Sequence, residues 1–142
     1  MKKLIILLFT VFLSAGSLSA QSIDVKKLIQ LANQGNVEAQ YNLSGMYYNG
    51  RGVPQDYAEA VKWLRLPADQ GFAEAQSILG AMYYNGEGVP QDYVQAHMWL
   101  NLAAAKGSKS GESNRNIVAG KMSPQQIAQA QELARNWKPK KK

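Results

Sequence analysis

The 142-residue chain is predicted to fold as an all-α repeat array, and three observations point there. One phrase occurs twice, as LSGMYYNGRGVPQDY at 43–57 and LGAMYYNGEGVPQDY at 79–93, an offset of 36. The offset outruns these words: residues 35–70 set on 71–106 give 21 identities in 36 pairs, at a period in the range of solenoid repeats. Within each unit the apolar residues recur at helical spacing, and glycines close the helices.

Taken in order, the first twenty residues stand apart. Met1-Lys2-Lys3 is a short basic start, Leu4 to Leu13 is an apolar run, and small residues lead to Ser19-Ala20. This is the layout of a secretory signal peptide with cleavage after Ala20. A membrane span needs about 20 apolar residues, so the run is too short for one. No cysteine follows it, which argues against a lipid-modified start. Periplasmic or secreted localisation is the expectation. Residues 21–137 then make one domain, and 138–142 a basic tail.

Residues 23–34 place apolar side chains at 25, 28, 29 and 32, the pattern of an amphipathic helix that caps the start of the array. Each full unit, about 35–70 and 71–106, reads as two helices. Helix A spans Val37 to Asn49, and a Gly-x-Gly loop at Gly50 and Gly52 reverses the chain. Pro54 holds Val53 extended. Asp56 caps helix B, with Glu59 three residues on to complete a capping box, a device that Asp92 and Gln95 repeat. Helix B ends near Gln70 and Lys106, before Gly71 and Gly107. Steps of 100° put Ala39, Leu43, Met46 and Tyr47 on one face of helix A, and Ala60, Trp63, Leu64 and Ala68 on one face of helix B. The second unit repeats both stripes. Pro67 stands where the next unit has Ala103, so a kink or an early end of that helix is expected.

After Gly107 comes the polar segment KSGESNRN. A last helix then starts at Ser123 as N-cap, with Pro124 in the first position and Gln126 closing a capping box. Its apolar stripe is Ile127, Ala130, Leu133, Ala134 and Trp137. Residues 108–137 are read as C-terminal capping helices covering the open face of the last unit.

The composition excludes several function classes. There is no cysteine, so packing alone holds the fold. The net charge of +6 comes from the ends: Lys2 and Lys3 at one, Lys138, Lys140, Lys141 and Lys142 at the other. Between Gln21 and Trp137, ten basic residues balance ten acidic ones. A neutral body offers no footprint for nucleic acid. The terminal lysines read most simply as a solvated tail, and weak attraction to anionic envelope surfaces is the alternative.

These features resemble the Sel-one-like repeat (SLR) family, a branch of the tetratricopeptide-like αα-solenoids. In the second unit the pattern runs Ala75-Gln76, Leu79-Gly80, Tyr83, Gly86-x-Gly88-Val89, Asp92, Ala96, Trp99, Ala103-Ala104, Gly107. The segment KMSPQQIAQAQELARNW also looks like the closing helix of bacterial members. Ser44 in place of a glycine and Pro67 in place of an alanine depart from the pattern. The resemblance implies a right-handed superhelix that serves as an adaptor or scaffold in the bacterial envelope and binds a protein or peptide. It also implies two other roles seen in the family, antidote to a toxin and β-lactam-active enzyme. The enzyme role belongs to a cysteine-rich group, which this chain does not match.

Catalysis finds little support among the residues. His97 is the sole histidine and takes the place of Val61 in the first unit. There is no pair of histidines at metal spacing, no phosphate loop and no Ser-x-x-Lys motif. No cofactor and no metal are expected. For binding, the face of helix A opposite its core stripe carries Tyr41, Gly45 and Tyr48, then Ser77, Ala81 and Tyr84, with Asn49 and Asn85 flanking. In such solenoids this side lines the concave surface, and tyrosines over small residues suit recognition. The competing reading packs Tyr48 and Tyr84 on neighbouring helices or loops. The expectation is therefore a non-catalytic adaptor. The alternatives are a cell-wall or β-lactam-active hydrolase, a toxin antidote, and a structural module that assembles with copies of itself.

Overall fold

The computed structural model describes residues 24–141, so the signal segment lies outside the described residues. Among these, seven helices follow one another with no strand: α1 Val25–Asn33, α2 Val37–Asn49, α3 Tyr57–Asp69, α4 Ala73–Asn85, α5 Tyr93–Ala105, α6 Lys109–Ala119 and α7 Pro124–Asn136. Helices α2 and α3 form the first unit, α4 and α5 the second.

Local chemistry sets the ends. Asn36, Asp56, Asp92, Ser108 and Ser123 accept hydrogen bonds from the first turns of α2, α3, α5, α6 and α7. The capping box is complete only at Ser123 and Gln126. At Asp56 and Asp92 the backbone N–H donates instead to Tyr47 O (2.9 Å) and Tyr83 O (3.0 Å). The tight interhelical loop brings that carbonyl closer than a side chain reaching back, and Glu59 pairs with Lys62 at 3.3 Å. Helices α1, α3 and α5 end alike. The N–H groups of Asn36, Phe72 and Ser108 reach Leu31 O, Pro67 O and Ala103 O, around glycines at φ 88, 93 and 91°. Pro67 does not shorten its helix: α3 and α5 each have 13 residues. Ser44, the other departure, is buried with its hydroxyl donating to Tyr41 O at 2.6 Å. Its counterpart Gly80 is needed bare, because a Cβ there would press on Leu100 and the Ala96 carbonyl at 2.7 and 3.0 Å.

The core runs through the units rather than within them. Tyr41, Tyr48, Leu64, Ala75, Leu79, Met82 and Trp99 belong to one buried cluster drawn from both units. Leu28 and Ala32 of α1 pack with Leu43 and Trp63, so α1 covers the first unit as expected. At the other end two helices cover the last unit, as expected. The polar segment after Gly107 forms α6, which stands in register with α2 and α4 and packs on α5 through Gly111, Asn114 and Val118. Helix α7 packs on α5 as well and sends Ala134 and Trp137 to the central cluster. The array is closed by polarity: Arg115 and Asn116 stand where α4 has Leu79 and Gly80, and Glu112 and Asn116 are exposed.

Candidate functional site

The residues expected to wall a groove are distributed by the way helix A packs in three dimensions. Tyr41 is 4% exposed and meets Phe72 edge-on, centroids 5.5 Å apart at 74°. Phe72 replaces the capping Asn36 of the first unit, so α4 has no side-chain cap and gains this aromatic contact. Tyr48 is 5% exposed; its ring lies 5.0 Å from that of Tyr57, and its hydroxyl donates to Glu87 Oε2 at 2.7 Å. Tyr84 is 7% exposed, lies 5.5 Å from Tyr93, and packs with Ala96, Leu100 and Val118. Gly45, Ser77 and Ala81 are buried too. The tyrosines are therefore part of the packing between units and not open groove walls. The physical reason is that a solenoid helix has neighbours in the unit before, in its own unit and in the unit after. The side opposite the first core stripe is thus the next seam.

Burial affects the ionisable groups accordingly. Tyr41 is pushed up to about 12 by burial, with Glu74 adding to it. The Tyr48 phenol is raised further by burial and by its bond to Glu87. Both stay protonated, which suits donation and excludes them as bases near neutrality.

Asn49 and Asn85 are the two members of the set that remain half-buried at the ends of α2 and α4. The Asn49 amide donates to Gly45 O at 2.9 Å. Around them, repeated glutamines hold the loops and helices. Gln55 Nε2 donates to Tyr48 O at 2.9 Å and Gln91 Nε2 to Tyr84 O at 2.8 Å. Gln40 and Gln76 likewise donate to Ala32 O and Ala68 O, tying each helix A to the helix before it. All four glutamines repeat at the 36-residue offset, which marks them in the sequence.

His97 is buried on α5, with Nδ1 unpartnered. Burial lowers its pKa, and Arg115 lowers it further. That favours a neutral, packed imidazole. Among the described residues no group of three or more His, Cys, Asp or Glu side chains could hold a metal ion, and no helix is long and apolar enough to cross a membrane.

Solved structures similar to this chain include the following two. One is a protective antigen present in uropathogenic Escherichia coli strains that displays an SLR fold, at 38% identity and a TM-score of 0.77; the match covers 80% of this chain and 24% of that one. The other is a Sel1 repeat protein from Oxalobacter formigenes, at 38% identity and a TM-score of 0.57, with 58% of this chain and 63% of that one covered. This chain thus spans about a quarter of the first relative and under two thirds of the second. No curated protein matches it. The family model for the Sel1 repeat matches at residues 37–72 and 73–108, each match beginning at the first helix of a unit. With two matched units, half of its length and the same stacked-helix fold as SLR proteins, the chain belongs to the Sel1 repeat family.

Proposed function

We propose that this protein is a non-catalytic scaffold that binds a protein or peptide on the concave side of its array, in the bacterial envelope after export. Sel1 repeat proteins generally mediate protein–protein interactions, and the fold is typically a non-catalytic one. The observation that carries the reading is the common register of α2 and α4. It repeats Asn49 and Asn85 at the same turn of successive helices, half-buried above interior tyrosines. Carboxamides present both donors and acceptors, which suits recognition of a partner's main chain. The buried Tyr41, Tyr48 and Tyr84 then act beneath that surface as rigid support, with Gly45, Ser77 and Ala81 keeping the helices close. Export is supported by the basic start and the apolar run of Leu4 to Leu13.

The test is capture from an envelope extract, with Asn49→Ala/Asn85→Ala and, as a control on the other helix of the unit, Lys62→Ala. A partner held by the natural chain and the control but lost from the double variant is the expected result. Equal capture by all three would put the binding surface elsewhere, and absence of any partner would count against a scaffold.

A further inference from the structure

The C-terminal segment expected to be a solvated tail is held against the array. The Lys140 N–H donates to Asp69 O at 2.8 Å, and its Nζ lies 2.8 Å from Asp69 Oδ2. Three residues earlier, Trp137 meets Trp99 edge-on with centroids 6.3 Å apart. Lys106 Nζ donates to the carbonyl of Gly71, next to the same Trp137 ring. The chain thus runs from α7 back to the junction between α3 and α4.

This course collects charge. The segment after α7 carries Lys138, Lys140 and Lys141, a local net of +3 anchored at Asp69. The rest of the described chain has ten basic and ten acidic residues and is neutral. The net charge of the described residues is thus supplied by this segment, and Lys142 follows. Two of the four exposed large apolar side chains are near in sequence. Leu66 is 42% exposed one turn before Asp69 on α3, and Leu133 is 38% exposed one turn before Trp137 on α7.

We infer that this corner docks the protein on an anionic phospholipid surface. Charges within a Debye length of about 8–10 Å decide such an encounter, so the local +3 counts and the neutral body does not oppose it. The Asp69 anchor holds the lysines in place before contact, which lowers the ordering cost of binding. Lys138 and Lys141, both exposed, meet headgroup phosphates, while Leu66 and Leu133 offer short apolar contacts at the interface. Nothing in the docking requires a spanning helix.

The experiment is sedimentation of the full chain with vesicles of phosphatidylglycerol and phosphatidylcholine, and with phosphatidylcholine alone. Its comparison is Lys138→Gln/Lys141→Gln, two exposed changes outside the helices. The N-terminal apolar run is common to both proteins, so their difference reads the corner. Each lysine near such a surface strengthens partition about fivefold, so the double variant should bind the anionic vesicles about 30-fold more weakly. Raising the salt should erase the difference, and Leu66→Ser should weaken partition in its own right. Equal partition of the two proteins, or binding to phosphatidylcholine as strong as to the anionic vesicles, would overturn the inference. So would capture by a soluble polyanion such as heparin with no vesicle binding.

Discussion

Tyr48→Phe removes one hydroxyl from the seam between the two units and leaves the ring in place. That hydroxyl donates to Glu87 at 2.7 Å, and both residues are about 5% exposed. A hydrogen bond to a charged group contributes about 1.5–3 kcal/mol net, and here water cannot readily replace the donor. For a domain of this size the loss corresponds to a fall of about 6–12 °C in Tm. The second unit supplies an internal control. Tyr84 holds the same place in its helix and packs on Tyr93 as Tyr48 packs on Tyr57, but the position that answers Glu87 is Ser123, whose hydroxyl caps α7. Tyr84→Phe should therefore change stability by less than about 0.5 kcal/mol, the usual effect of a change that breaks no named interaction. Urea unfolding of both variants, with a double-mutant cycle between Tyr48→Phe and Glu87→Gln, measures the coupling directly. If Tyr48→Phe proved as mild as Tyr84→Phe, or if the cycle were additive, the bond would not be what joins the units.

Four other outcomes are expected. Tyr48→Ala with Tyr84→Ala should lower stability by about 3–5 kcal/mol for each ring, as for other large buried aromatics; unchanged urea melts would return these tyrosines to an open groove. Gly88→Ala should cost more than about 2 kcal/mol, since the residue has φ 72° and its Cβ would collide with the Tyr57 carbonyl. Gly107→Ala, at φ 91° with nothing near its Cβ, should cost only the backbone strain of about 1 kcal/mol, and equal losses at the two sites would refute the contact. His97 has its folded pKa below the unfolded value, so below about pH 6.5 the unfolded chain binds the extra proton and stability falls as the pH drops. His97→Val, the residue of the first unit, should flatten that part of the Tm–pH curve, and an unchanged curve would assign the effect to another group.

Interior and surface were not equally legible. Helix limits were, because they depend on contacts within a few residues: the apolar spacing and the Gly-x-Gly loop give Val37 to Asn49 as helix A, and α2 spans Val37–Asn49. The Ser123 capping box and the apolar face of α1 were read for the same reason. Pro67 disturbs its helix less than its position suggests, because only two helical residues come after it before α3 ends at Asp69. The tyrosine face is buried where periodicity suggests a groove, because helical periodicity tells which residues share a side, not how many sides a solenoid buries. Asn49 and Asn85 were placed in the candidate site, but neither their half-exposure nor the glutamines around them could be read from one helix.

The sequence by itself determined the class, the period and the family, since all three are carried by residues that repeat 36 apart and act on their own turn or loop. Only the tertiary structure decided that Tyr48 of one unit bonds Glu87 of the next, that α6 ends the array by polarity, and that α7 returns along α5 to place Lys140 on Asp69. These contacts join residues 39 and 71 positions apart. At those separations neither periodicity nor capping chemistry constrains the chain, and only the stacking of the helices brings the partners together.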